Sequence, residues 1–409
     1  MSHFDFLEIR DPADRAAEQF AELRRVLEFA LDHAPGMLDH LGGVDVDAVI
    51  NRRALAALPI LRKSDLPAMQ AADPPFAGLA TRAPYHTARI FMSPGPILEP
   101  GGDGRDWWRL GRFLHAAGFG MGDIVQNCFA YHLTPAGHMM ESAIAAISAA
   151  CIPAGPGQTE QQVEVASRVG ATAYVGTPDF LKIILDRADE MGRKLSIRKA
   201  AVSGGALFPS LRQEYADRGV RCLQCYATAE LGLVAYESEA MEGMIVDEGV
   251  IVEIVRPGTG DPAPDGEVGE VVVTALNADY PLIRFATGDL SAVLPGQSPC
   301  GRTNMRIRGW MGRADQTAKI KGMFVRPEQV AAVLARHREA LRARITIARD
   351  GEKDVFELAV ETAHPSEGLA AALGETLHQT VKLHGAVRLV EPGDLPNDGK
   401  VIDDQRNYD

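Results

Sequence analysis

Long apolar runs are missing from this chain. Across its 409 residues, no stretch of about 18 uncharged apolar residues occurs, which argues against a membrane-spanning helix of ordinary length. The richest segment, SAIAAISAACIPAG, is short and ends in Pro and Gly, and fits a buried helix running into a strand. Cysteine is also scarce: five thiols in so long a chain point to reduced cysteines and not to a disulfide framework. Cys222 and Cys225 form one CxxC without a second. They lie in VRCLQCYA, which reads as a strand. Residues three apart on a strand face opposite sides, so two ordinary buried thiols are expected there and not a shared metal. Positive charge is in deficit, with 42 basic against 55 acidic residues and a net charge of −13. Such a field repels polyanions, so neither nucleic acid nor an anionic membrane is an expected partner. The opening MSHFDFLEIRDPADRAAEQF has neither the apolar core of a signal peptide nor the character of a transit peptide, so a cytoplasmic location is expected.

What is present is alternation. Residues 13 to 31 carry apolar positions at helical spacing, and LPILRKSDLPAMQ reads as a turn and short helix with Ser64 as candidate cap. From Gly118, strand-like runs (DIVQNCFAY, CIPAG, ATAYVGT, KAAVSGG) alternate with helical ones (GHMMESAIAAISAA, TEQQVEVASRVG, PDFLKIILDRADEMG). That spacing predicts a sheet with parallel crossovers covered by helices. After Glu230 the segment GVIVEIVRPGTGDPAPDGEVGEVVVTAL predicts a hairpin-rich β region. The last 90 or so residues read as helix, strands and helix, a small α+β domain. From Arg302 to Arg349 twelve residues are basic and three acidic, either a solvated face or a landing site for phosphates.

Four segments carry chemistry by their order: QCYATAELG, PLIRFATGDL, MGRADQTAKIKGMFVRPEQV and LPNDGKVIDD. Together they resemble the core motifs of adenylate-forming enzymes, and from Gly118 to Lys400 the chain looks like a phenylacetate-CoA ligase. The resemblance implies an α/β fold. A large domain of helix-covered sheets with a β-rich subdomain would span 1–314, and a small mobile α+β lid 315–409. It implies that Glu230 holds magnesium and that Tyr226, with Ala227 and Thr228, lies against the adenine. Asp289 would accept hydrogen bonds from the ribose hydroxyls and Arg313 would contact the ribose. Asp315 would be the hinge about which the small domain swings between two half-reactions. Lys400 would bridge the carboxylate and the α-phosphate. Gln316 stands where the family usually has a second acidic residue. AAVSGGALFP lies where the family has a segment lining the adenine and acyl pockets, so Gly204, Gly205 and Ala206 are candidates for close backbone approach, though a strand-ending Gly-Gly is more often plain turn chemistry. GPGQTEQQV also resembles a family segment, and reads equally well as a helix start capped by Thr159. Phe129, Tyr131 and His132 in FAYHL are candidate acyl-pocket residues, with core packing the competing reading.

The family's phosphate-gripping loop is altered. Its counterpart here is Ser93-Pro94-Gly95-Pro96-Ile97-Leu98-Glu99-Pro100. The prolines remove donors, and Glu99 would place a negative charge where a cation belongs, costing roughly 1 to 4 kcal/mol at about 4 Å. Ala229 also replaces a hydroxyl that Thr228 would have to supply. SPCGRT keeps only Cys300 of a cysteine-rich metal segment found in some relatives, with Ser298 and Ser238 at other ligand positions, so no zinc is expected. The implied activity is an ATP-dependent acid-CoA ligase for an aromatic or arylacetic acid, using magnesium, with a homodimer left open. The alternatives are transfer to another acceptor (carrier protein or amine) and a non-catalytic adenylate or acyl-CoA binder. The altered loop is either mobile and dispensable or suited to a ligand with fewer phosphates.

Overall fold

A computed structural model describes residues 3–314, 316–320, 323–350 and 353–406. They form two compact units. The first is Met1–Val252, Val273–Phe285 and Leu294–Gly309; the second is Glu253–Val272, Ala286–Val293 and Trp310–Asp409. The expected 314/315 hand-over thus falls inside the second unit, which also gathers two β-rich stretches.

The strands of the first half run, in chain order, β1 (Leu61–Arg62), β2 (Arg89–Ser93), β3 (Ile97–Gly101), β4 (Ile124–Asn127), β5 (Ala150–Pro153), β6 (Ala173–Gly176), β7 (Lys199–Val202) and β8 (Arg221–Thr228). They continue as β9 (Gly232–Tyr236), β10 (Met244–Val246), β11 (Val250–Val255), β12 (Gly269–Ala275), β13 (Phe285–Ser291), β14 (Val293–Leu294) and β15 (Arg306–Ile307). In the principal sheet, β5, β4, β6, β7 and β8 lie side by side and all parallel. Parallel neighbours need crossovers, and the expected helices supply them: Ala136–Ala146, Thr159–Val169, Pro178–Glu190 and Pro209–Asp217. β9 then turns back antiparallel on β8, followed by β10 and β15.

Both faces of this sheet are covered, so β6 is buried at every position. Cys222 packs with Tyr174, Leu181 and Tyr215, whereas Cys225 packs with Phe113, Met139 and Ile144. The CxxC therefore splits between two cores, and burial pushes both thiols up to about 12. Two capping expectations are corrected. Ser64 sits inside a 3-10 turn, Lys63–Asp65, ahead of a helix that begins at Leu66 without a side-chain cap. Thr159 is the first residue of its helix, and Gln158 holds the cap position in a left-handed conformation.

In the second unit, β16 (Ala318–Ile320) pairs with β17 (Met323–Val325), and β18 (Arg342–Asp350) pairs antiparallel with β19 (Lys353–Glu361). β20 (Ala386–Val390) and β21 (Ile402–Asp404) flank them in parallel, giving the order β20-β19-β18-β21. Ile345, Ile347, Leu358 and Val360 meet Val330 and Val333 of helix Pro327–Leu334 and Leu373 and Leu377 of helix Glu367–Val381. This is the expected α+β core, with Ser366 accepting the Leu369 N–H to start the second helix.

Candidate functional site

Ligands in open parallel sheets bind beyond the carboxyl ends of the strands, and the candidates of the first unit gather there. Phe129, Tyr131 and His132 follow β4, Gly204 to Ala206 follow β7, and Tyr226 to Glu230 end β8 and begin the turn into β9. Ser203 ties two of these ends together by donating to the Cys225 carbonyl at 3.1 Å. Gly204 is left-handed, and Gly204, Gly205 and Ala206 are exposed.

Glu230 rides on a tight turn. Thr228 pairs with Gly232 across it, and the Thr228 hydroxyl accepts the Leu231 N–H at 3.2 Å. Gly232 is required: its φ is +71, and a Cβ would lie 2.7 Å from the Trp108 carbonyl. Arg109 clamps the turn by donating to the Leu231 carbonyl at 2.7 Å while its Nε holds Asp247 at 2.7 Å.

The Glu230 side chain is 0% exposed, and its Oε1 lies 2.7 Å from Lys63 Nζ. The pair is a close ion contact, not an aligned hydrogen bond, since neither carboxylate oxygen has a hydrogen-bond partner among the described residues. Lys63 escaped the sequence reading because nothing local marks it. Its 3-10 turn precedes the helix Leu66–Ala72, whose Gln70 donates to the Leu98 carbonyl and accepts its N–H, both at 2.8 Å.

Leu98 belongs to the altered loop, which is a hairpin. β2 and β3 pair Phe91 with Glu99 and Ser93 with Ile97, and Met92 donates to the Leu133 carbonyl at 2.9 Å. Phe91, Ser93, Ile97 and Glu99 face inward, while Ile90 and Met92 are exposed. The expectation that Glu99 turns a negative charge toward a phosphate is corrected. Glu99 is 1% exposed and accepts a hydrogen bond from the Ser93 hydroxyl. Burial pushes its carboxyl up to about 8, Glu230 adding to the rise while Ser93 and Lys63 oppose it. At neutral pH it is protonated and uncharged. Gly95 sits at the tip between Pro94 and Pro96, neither of which has an N–H. Tyr280 closes the cluster: its hydroxyl is buried without a partner among the described residues, and burial, Glu230 and Glu99 raise its pKa.

Magnesium was expected at Glu230. The donor set does not fit it as it stands, because the one expected ligand is already neutralised by an ammonium and its neighbour Glu99 carries a proton.

Among the acyl-pocket candidates, Phe129 is 8% exposed and belongs to the core, as the competing reading held. Tyr131 is half-buried, its hydroxyl accepting from Asn127 Nδ2 at 2.8 Å and its ring edge-on to His138. His132 is exposed. Tyr226 is buried, beside a bulge at Tyr226/Ala227.

The second unit brings Asp289 and Arg313 together. Asp289 Oδ1 accepts from Arg313 Nη1 at 3.0 Å and from Trp310 Nε1 at 3.1 Å. Backbone bonds align the two segments, Leu290 N–H to the Gly312 carbonyl at 2.9 Å and Ala314 N–H to Gly288 at 2.7 Å. Trp310 was missed by sequence reasoning because it stands one position before the segment MGRADQTAKIKGMFVRPEQV that carries the resemblance. Asp315 lies outside the described residues.

Lys400 is half-exposed, and its Nζ donates to Asp403 Oδ1 at 2.7 Å; that bond holds the Asp403 carboxyl below the usual range. Its loop is built with care. Gln316 donates to the Gly399 carbonyl at 2.8 Å and accepts the Ile402 N–H at 2.9 Å, and Asn397 accepts the Val268 N–H at 2.9 Å. Gly399, with φ +72, leaves room for Val268 and Leu290, which a Cβ would meet at 2.7 and 2.9 Å.

Three arginines of the basic stretch from Arg302 to Arg349 are structural. Arg302 lies 3.1 Å from Glu8, Arg306 donates to the Pro295 and Gly296 carbonyls at 3.1 Å, and Arg344 holds Asp398 and the Lys400 carbonyl. Burial raises the Cys300 thiol, but hydrogen bonds from Ser238, Ser298 and Arg302 outweigh it and leave the thiol lowered.

The chain is similar to several known proteins. The profile of the family described as AMP-binding enzyme matches residues 118–277. The phenylacetate-coenzyme A ligase of Thermus thermophilus is 28% identical over 369 residues, covering 85% of this chain and 82% of the relative. That of Aromatoleum evansii is 26% identical over 418 residues, 93% of each. The crystal structure of 2-hydroxyisobutyryl-CoA ligase in the postadenylation state with 2-HIB-AMP shares the fold. Its TM-score is 0.72 at 22% identity, covering 98% of this chain and 91% of that one. The chain is thus similar over most of its length to phenylacetate-CoA ligases, carries a segment that matches the AMP-binding enzyme family, and shares the fold of 2-hydroxyisobutyryl-CoA ligase.

Proposed function

We propose that the chain is an AMP-forming acid-CoA ligase acting on an aromatic or arylacetic carboxylate. The observation that carries this reading is the 3.0 Å pairing of Asp289 with Arg313 from two separate motif segments, the arrangement a ribose-binding pair needs. The names of the relatives support the CoA-ligase chemistry.

In the first half-reaction a carboxylate oxygen attacks the α-phosphorus of ATP, the bond from that phosphorus to its bridging oxygen breaks, and pyrophosphate leaves. Asp289 would orient the ribose hydroxyls and Lys400, released from Asp403, would neutralise the charge building on the α-phosphate. In the second, the thiol of CoA attacks the acyl carbon, its proton passes to solvent, and AMP leaves. Residues 315–409, turning at Asp315, would serve the two steps in succession. Tyr131 and His132, with more reach than the buried Phe129, would contact the acyl group.

Carboxylate-dependent pyrophosphate release, measured with phenylacetate, benzoate and short acids with and without CoA, tests the reading. Release with phenylacetate and thioester formation on adding CoA are expected. No release from any acid sinks it; release without thioester points to a different acceptor.

A further inference from the structure

The cluster beneath the altered loop is unusual in its charge. Ser93, Glu99, Glu230 and Tyr280 are all 8% exposed or less, whereas the Lys63 side chain is 27% exposed. Lys63 is therefore the member of the cluster that solvent, and hence a ligand, can reach. Its ammonium has three donors and spends one contact on Glu230. Behind it, the Tyr280 hydroxyl, Glu99 Oε2 and the Glu230 carboxylate lack hydrogen-bond partners among the described residues, so the cluster is electrically matched but not saturated. For a divalent cation to bind Glu230 at about 2.1 Å it would have to displace Lys63 or share one buried carboxylate with it, leaving two cations in repulsion.

We propose that Lys63, seated on Glu230, is the resident phosphate-side cation of this protein, and that the site binds adenylates without a divalent metal. The ammonium neutralises Glu230 on one side and presents its remaining N–H groups to the α-phosphate on the other. The hairpin beneath, pinned by Gln70 and Leu133 and short of N–H donors at its tip, offers little to a β- or γ-phosphate. What the ammonium meets is the α-phosphate, the group that ATP, AMP and the acyl adenylate share.

The inference rests on the reading that the site takes an adenylate, so its test is a binding measurement without turnover. AMP is titrated into the full chain by calorimetry, in EDTA and in millimolar magnesium. Equal affinity in both is expected, and affinity gained only with magnesium overturns the assignment. The double variant Lys63→Met/Glu230→Gln removes both charges together, which keeps the buried pair neutral and the fold intact. It should bind AMP about tenfold more weakly or worse, in proportion to one lost charge-assisted contact. Glu230→Gln alone, which leaves the ammonium in place, should bind AMP at least as well as the natural chain. Unchanged affinity in the double variant, or loss in Glu230→Gln, also overturns the proposal while leaving the ligase reading standing. Absence of AMP binding in every condition overturns both. An independent arm uses Mn²⁺, followed by the electron paramagnetic resonance of the free ion. The natural chain should leave it free, and stoichiometric binding lost in Glu230→Gln would place a metal where Lys63 is assigned.

Discussion

Two carboxylates carried into this chain by motif resemblance sit in opposite surroundings. Glu230 is 0% exposed and holds a single cation, Lys63, inside the first unit. Asp289 is 14% exposed and is met by Arg313 and Trp310, which are 54% and 53% exposed. An exposed pair exchanges partners at little cost, because water replaces what is lost. A buried pair cannot, because neither ion can be left alone. In the proposed reading, Asp289 would let go of its internal partners when a ribose arrives, while Glu230 would keep Lys63.

The largest expected effect separates the two on stability. Lys63→Met should cost about 3–5 kcal/mol in urea unfolding, since it strands a buried carboxylate, whereas Arg313→Ala should cost about 1 kcal/mol or less. Equal losses would erase the contrast.

The next effect depends on pH. Glu99 has a folded pKa of about 8 against an ordinary value of 4.5, so between these pH values the native state holds a proton that the unfolded chain has released. That contribution is complete below the unfolded pKa and is lost as pH rises toward 8, by about 1.4 kcal/mol for each pH unit. Unfolding at pH 6 and pH 8 should show this fall in the natural chain and a flatter profile in Glu99→Gln. An unchanged slope would place the titration elsewhere.

The smallest is Gln316→Glu. It keeps the acceptor for the Ile402 N–H but loses the donor to the Gly399 carbonyl, a cost of about 0.5–1.5 kcal/mol. Thermal unfolding would register it, and Gln316→Ala should cost more.

Much of this was legible in the sequence where the signal was local. The helices and parallel strands from Gly118 followed from apolar periodicity, and Asp289 and Arg313 from short motifs whose partners lie on neighbouring segments. Lys63 was not legible, because its partner lies far along the chain and a lone lysine in a turn carries no pattern. Glu99 could have been found. In RIFMS and ILEPG, strand alternation places it on the face of Phe91 and Ile97, but alignment to a loop hid the strand. Gln316 read as a mild departure, and its amide is what fastens the lysine loop, since a carboxylate has no donor for the Gly399 carbonyl.

That fastening has a mechanical consequence. Gln316 grips both Gly399 and Ile402, so the two ends of the 316–402 stretch are stapled together. Under the proposed hinge, a torsion at 315 would reach Lys400 over the length of one side chain and not through the eighty-odd residues between them.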